Sequence, residues 1–109
     1  MIIISNRDAD SGTRLNMAGE LDIATADEFL TRLRSSMADM QAPDSLLVDF
    51  TEVTFCDSSG IAALDELYAD AAARGLSFRL ANLQPGVRRV LQIIGLLEAL
   101  TSSQAPLTR

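Results

Sequence analysis

Apolar positions along this chain change period several times, and each change marks an element. Ile2 to Ser5 is a short apolar run, Asp8-Ala-Asp-Ser-Gly-Thr13 is dense in turn formers, and Leu15, Met17 and Leu21 then recur at period two around Gly19. That pattern predicts two antiparallel strands, with Gly19 serving the backbone geometry of the second. Thr25-Ala-Asp-Glu28 has capping-box spacing, in which the Thr hydroxyl and Glu carboxylate satisfy free amides at a helix start. Phe29, Leu33, Met37 and Met40 follow at intervals of four, four and three, so a helix ends before Pro43 and packs its apolar stripe on a sheet.

Leu46-Leu-Val48, extended by Val53 and Phe55, predicts a buried strand that ends near Cys56. Asp57-Ser-Ser-Gly60 interrupts it. Ile61, Leu64, Leu67, Tyr68 and Ala71 then share one side of a second helix, closed by Gly75 in the left-handed region. Phe78 and Leu80, with Ala81, make a further strand. Pro85 suits a first helical position, Val87, Val90, Leu91 and Ile94 continue at helical spacing, and Gly95 ends that helix. Leu96, Leu97 and Leu100 add a last apolar patch. The domain is expected to span residues 1–100, with residues 101–109 as a frayed tail.

Strands alternating with helices predict an α/β domain: a mixed sheet of four to five strands, with an antiparallel amino-terminal strand and helices packed on it. Right-handed crossovers make the later strands parallel and bring their carboxyl ends to one edge, where function gathers in such folds. Three segments are assigned to that edge: Glu20-Leu-Asp22, Cys56-Asp-Ser-Ser-Gly60 and Asn82-Leu-Gln84.

Composition narrows the chemistry available there. The 109 residues have no His and no Trp, a single Cys, and only Arg among their nine basic residues. An imidazole base, an amine for a Schiff base and a Cys/His zinc set are all missing from the inventory. A net charge of −6 disfavours tracking along nucleic acid or an anionic membrane and favours a protein partner. No signal sequence or membrane-length apolar run is visible, and a lone Cys56 cannot form an internal disulfide, so a cytoplasmic location is expected.

The Asp57-Ser58-Ser59-Gly60 turn leads a strand into a helix and presents serine hydroxyls at a helix start, where amides and the dipole favour an anion. A plain N-cap accounts for the same four residues. A catalytic serine lacks a base, and a phosphate-binding loop lacks its glycine spacing and lysine. Asp22 and Asp57 are a candidate Mg²⁺ pair, with solvated turn acids as the simpler reading. Cys56, beside an acid at the end of an apolar strand, reads as a small core residue rather than a redox sensor. Arg88 and Arg89 read as a solvated face or a contact for an acidic partner. What remains at the turn is a serine that another protein modifies.

Three segments in order carry a family resemblance: Gly19-Glu-Leu-Asp22 before a helix, Val53-Thr-Phe-Cys-Asp-Ser-Ser-Gly-Ile61, and Pro85-Gly-Val-Arg-Arg-Val-Leu91 with Ile94-Gly-Leu96. The chain resembles the anti-sigma factor antagonist branch of the STAS domain family. The resemblance implies a non-enzymatic switch without a cofactor. Ser58, or less directly Ser59, would be phosphorylated by a partner that is both serine kinase and anti-sigma factor. The unphosphorylated form would bind that partner and release the sigma factor, and a PP2C-type phosphatase would restore it. Asp22, Asp57, Ser59, Gly60 and Asn82 are expected to support phosphorylation or partner binding. Gln84 stands where the family often has a stronger cap, and Cys56 where it often has Met. A STAS scaffold subunit of a transporter or stressosome-like assembly is the alternative, and a nucleotide-binding protein a more distant one.

Overall fold

The computed structural model describes residues 2–9 and 12–101. Its elements are β1 (Ile2–Ala9), β2 (Gly12–Leu21), α1 (Ala26–Met37), β3 (Ser45–Cys56), α2 (Ser58–Ala73), β4 (Ser77–Ala81), α3 (Pro85–Ile93) and α4 (Leu97–Thr101). The sheet order is β1-β2-β3-β4. β2, β3 and β4 run parallel, and β1 lies antiparallel to β2 from Ile2↔Gly19 to Ala9↔Gly12. There is no fifth strand among the described residues. Asp8, Ala9, Gly12 and Thr13, expected in a turn, extend the strands instead, and the remaining turn residues, 10 and 11, lie outside the described residues.

One apolar face of the sheet carries the core. Leu15 and Met17 of β2, Val48 and Phe50 of β3, and Phe78 and Leu80 of β4 are buried on it, beneath Phe29 and Leu33 of α1 and Leu64 and Leu67 of α2. Arg14, Asn16, Asp49 and Arg79 alternate with the core positions and stay half-buried. The period-two pattern of β3 breaks twice, because β3 holds extra residues relative to β2. Phe50 and Thr51 stand against Met17 alone, and Thr54 has no counterpart between Gly19 and Glu20. Each bulge advances the phase by one residue, so burial runs Leu46, Val48, Phe50, Val53, Cys56. Phe55, expected to continue the apolar pattern, is therefore turned out and 49% exposed.

The capping box of α1 does not form: Thr25 makes no side-chain cap bond, and its hydroxyl turns back to the strand end instead. At the other end of α1, Arg74 donates to the carbonyls of Met37 and Met40 at 2.9 Å each, satisfying groups that a helix terminus leaves open. Gly75 (φ 71°) and Gly95 (φ 83°) end α2 and α3 in the left-handed region, where a side chain is strained. Ile94, expected on the buried stripe of α3, is 47% exposed; Val87 and Leu91 hold the helix to the core. The final apolar patch is a short helix, α4, anchored by buried Leu100. Thr101 ends α4, and the remainder of the expected tail, residues 102–109, lies outside the described residues.

Candidate functional site

Pairing of β2 with β3 ends at Leu21↔Cys56, and the amide of Asp57 then donates to the Leu21 carbonyl at 3.1 Å. Asp22 and Asp57 thus follow directly on neighbouring strand ends, which in a sheet lie about 5 Å apart. Each shapes its own turn. Oδ1 of Asp57 accepts from the amides of Ser59 (2.9 Å) and Gly60 (3.1 Å), which makes it the N-cap of α2. Oδ1 of Asp22 accepts from the amides of Ala24 (3.0 Å) and Thr25 (3.2 Å). Thr25, buried despite its polarity, donates its hydroxyl to the Glu20 carbonyl at 2.7 Å and accepts from the Asp22 amide at 2.9 Å. The loop before α1 is thereby locked, and it holds Ile23 81% exposed beside the site.

Ser58 is the first residue of α2 and is exposed; its hydroxyl makes no hydrogen bond among the described residues. Ser59 is half-buried and lines a groove between α1 and α2 with Ile23, Leu30, Ala62 and Glu66. Arg34 bridges from α1 to Glu66 and to Asp70 (2.9 Å), which ties the groove's walls together. Gly60 is buried, and its role is packing. A Cβ there would stand 2.5 Å from the Leu21 carbonyl oxygen and 2.9 Å from the Cys56 sulfur. Only glycine lets α2 approach the strand ends this closely, so Gly60 sets the position of Ser58 from beneath. Cys56 is buried, and desolvation, reinforced by the Asp57 charge, pushes its thiol up to about 12. A thiolate is disfavoured there.

A phosphate on Ser58 would find few of the free helix amides that the turn promises in sequence. Those of Ser59 and Gly60 are taken by Asp57, and that of Ile61 donates to the Asp57 carbonyl at 2.9 Å. An added dianion would stand beside the Asp57 carboxylate and face outward.

Asn82 does not belong to this edge. β4 pairs only with Ser45–Asp49 and stops at Ala81 opposite Asp49, seven residues short of Cys56. At about 3.3 Å per residue, that leaves Asn82 roughly 20 Å from the serine turn along the strand. It adopts φ 58° and donates its side-chain amide to Asp49 at 3.1 Å. Asp49 also receives the Thr51 amide (2.8 Å), the Thr51 hydroxyl and the Arg14 guanidinium. Burial alone would raise its pKa, but the Thr51, Arg14 and Asn82 donors outweigh it and hold the carboxyl down at about 2. Gln84 donates to the Thr51 carbonyl at 2.8 Å, so the β4–α3 turn is tied to the same bulge. Asp49, Thr51 and Ile23 escape a sequence reading because none lies in a recognisable motif. The one signal for Ile23 is a large apolar residue outside every apolar period.

The STAS domain family model matches residues 5–105. The chain belongs to the STAS domain family. Among solved STAS folds, an anti-sigma factor antagonist from Mycobacterium paratuberculosis is 24% identical, with a TM-score of 0.75 over 94% of this chain and 84% of that one. The phosphorylated form of the Bacillus cell fate determinant SpoIIAA is 21% identical, with a TM-score of 0.59 over 89% and 87%. The murine anion transporter Slc26a9 is 20% identical, with a TM-score of 0.74 over 84% of this chain and 15% of the transporter. At these identities the likeness is one of fold, shared by antagonists and by transporter STAS domains. Among the described residues no helix of this STAS domain is long and apolar enough to cross a membrane.

Proposed function

We propose that this STAS domain is a phosphorylation-switched anti-sigma factor antagonist, with Ser58 as the acceptor. The carrying observation is an exposed serine hydroxyl without a hydrogen-bond partner among the described residues, on a turn held from beneath by the Asp57 cap and the Gly60 contact. A kinase gains access without unfolding the site. The unphosphorylated face, with Ile23, Ser59 and Asp22 around Ser58, binds an anti-sigma factor that is also a serine kinase, and so frees the sigma factor in the cytoplasm. Phosphorylation adds about −1.5 to −2 charges beside Asp57, on a chain of net charge −6, and a face that fitted the partner then repels or obstructs it. A PP2C-type phosphatase reverses the change. The chain acts as another enzyme's substrate and not as a catalyst, and needs no cofactor.

Incubation with the cognate kinase and ATP, followed by mass spectrometry, is expected to place one phosphate on Ser58. Ser58→Ala should abolish it, and Ser58→Asp should weaken partner binding by about tenfold or more. Phosphate only at other positions, or equal binding by Ser58→Ala and Ser58→Asp, would overturn this reading. The likeness to Slc26a9 supports a second reading, a STAS scaffold in a transporter assembly. Under that reading, partner binding ignores both Ser58 variants.

A further inference from the structure

Among the described residues the most exposed large hydrophobic side chain is Ile23 (81%), and the only buried polar side chain is Thr25 (3%). They stand two residues apart in the loop between β2 and α1. A single exposed isoleucine is ordinary at a protein surface. What sets this one apart is the bonding of its loop. Ile23 occupies the second position of a four-residue turn that the Thr25 amide closes on the Asp22 carbonyl at 3.1 Å, and the Ala26 amide donates to the same carbonyl at 2.8 Å. Within the turn, Oδ1 of Asp22 accepts from the Ala24 and Thr25 amides. From below, the Thr25 hydroxyl donates to the Glu20 carbonyl at 2.7 Å and accepts from the Asp22 amide at 2.9 Å, so one buried group ties the turn to the end of β2. A β-branched side chain with few rotamers thus stands on a fixed backbone.

We infer that Ile23 is the apolar anchor by which the partner kinase docks, and that Thr25 is a positioning residue that holds it out. The inference rests on the reading of Ser58 as the acceptor. Continuity with that serine identifies the kinase as the occupant. Ser59, next to Ser58 in the chain, lines the same α1–α2 groove as Ile23, together with Leu30, Ala62 and Glu66, so a protein surface that closes over Ser58 extends onto Ile23. Preorganisation gives the exposure its value. An anchor that is already fixed loses little conformational freedom on binding, so the gain from burying Ile23 is kept, whereas a loose loop would offset it. Ile23 lies outside the turn that carries Ser58. Its contribution therefore belongs to binding, and phosphate transfer to Ser58 does not use it.

Steady-state phosphorylation of the full chain by its cognate kinase, at saturating ATP, is expected to separate docking from transfer. Ile23→Ser should raise KM for the protein about tenfold and leave kcat within about twofold, because it removes binding only. Thr25→Val should raise KM about three- to tenfold, and Thr25→Ser, which keeps the hydroxyl, should restore it. Since Thr25 acts through Ile23, the double variant Ile23→Ser/Thr25→Val should stay within about twofold of Ile23→Ser alone. Ile23 faces solvent, and an unchanged circular dichroism spectrum and urea midpoint will show that Ile23→Ser folds. An unchanged KM, an equal fall in kcat, or additive effects in the double variant would overturn the inference while Ser58 remains the acceptor. A wild type that takes no phosphate on Ser58 would overturn both. Loss of a wild-type self-association in Ile23→Ser, read by sedimentation velocity, would give Ile23 to a second copy and overturn the inference as well.

Discussion

Asp49 and Asp57 lie eight residues apart in sequence, one within β3 and one just past its end, and the chain uses them in opposite ways. Asp57 caps a helix with one oxygen, at a turn open to solvent and next to a serine with a free hydroxyl. Asp49 faces away from the core and gathers donors from β2, β3 and the β4–α3 turn. Its partner Thr51 is a residue of the first bulge, and that bulge brings Val53 into core phase. One carboxylate presents the serine turn; the other fixes the strand geometry that delivers it. The serine turn thus stands at the end of a strand whose register is held in part by a polar network well removed from it.

The sharpest way to break the serine end is through packing. Gly60→Ala should cost about 2–3 kcal/mol in urea unfolding, because the new methyl meets a backbone carbonyl that cannot yield. Ser58 would be displaced with α2, so phosphorylation should slow as well. A stability unchanged within error would show that α2 can lift away from the strand ends.

Asp49→Asn should come next, at about 1–2 kcal/mol near neutral pH, discounted for the part of its surface that water still screens. Its folded pKa, about 2, lies below the ordinary 3.8. Its contribution is therefore complete above 3.8 and is lost as pH falls toward 2. In urea titrations across that acid window, the wild type should lose this increment while the variant shows a flatter profile. Parallel profiles would mean that the donors around Asp49 do not favour its charge.

Asp57→Ala should have the smallest effect, about 1 kcal/mol for one lost cap. Its phosphorylation readout sharpens the comparison. With the amides of Ser59 and Gly60 released, a phosphate on Ser58 gains donors, and the modified variant should recover part of the lost stability. No recovery would show that the phosphate stays in solvent even when those amides are free.

Legibility in the sequence followed the range of the interactions. Phe29, Leu33 and Met37 on one helix stripe, Gly75 and Gly95 as helix ends, Pro85 at a helix start and Asp57-Ser58 at a strand-to-helix turn are all local patterns, and the structure has each of them. Phe55 and Ile94 depart from their apolar periods because a bulge and a helix end shift phase without leaving a trace in composition. The Thr25 capping box does not form because its hydroxyl oxygen accepts from the Asp22 amide while its proton goes to the Glu20 carbonyl, which turns the side chain away from the helix start. Parallel strands need not end level: β4 stops beside Asp49, so Asn82, expected at the serine edge, joins the Asp49 network instead.

The sequence by itself therefore determined the element order as far as α3, the apolar faces of α1 and α2, the turn that displays Ser58 and the absence of His and Lys, since these rest on residue identity and near-neighbour spacing. Only the tertiary structure decided which strand ends are adjacent and which polar groups pair. Strand register, two bulges and the approach of α2 to the Leu21 carbonyl are set by contacts between segments tens of residues apart. No local pattern encodes those contacts, because their energy exists only once the sheet has formed.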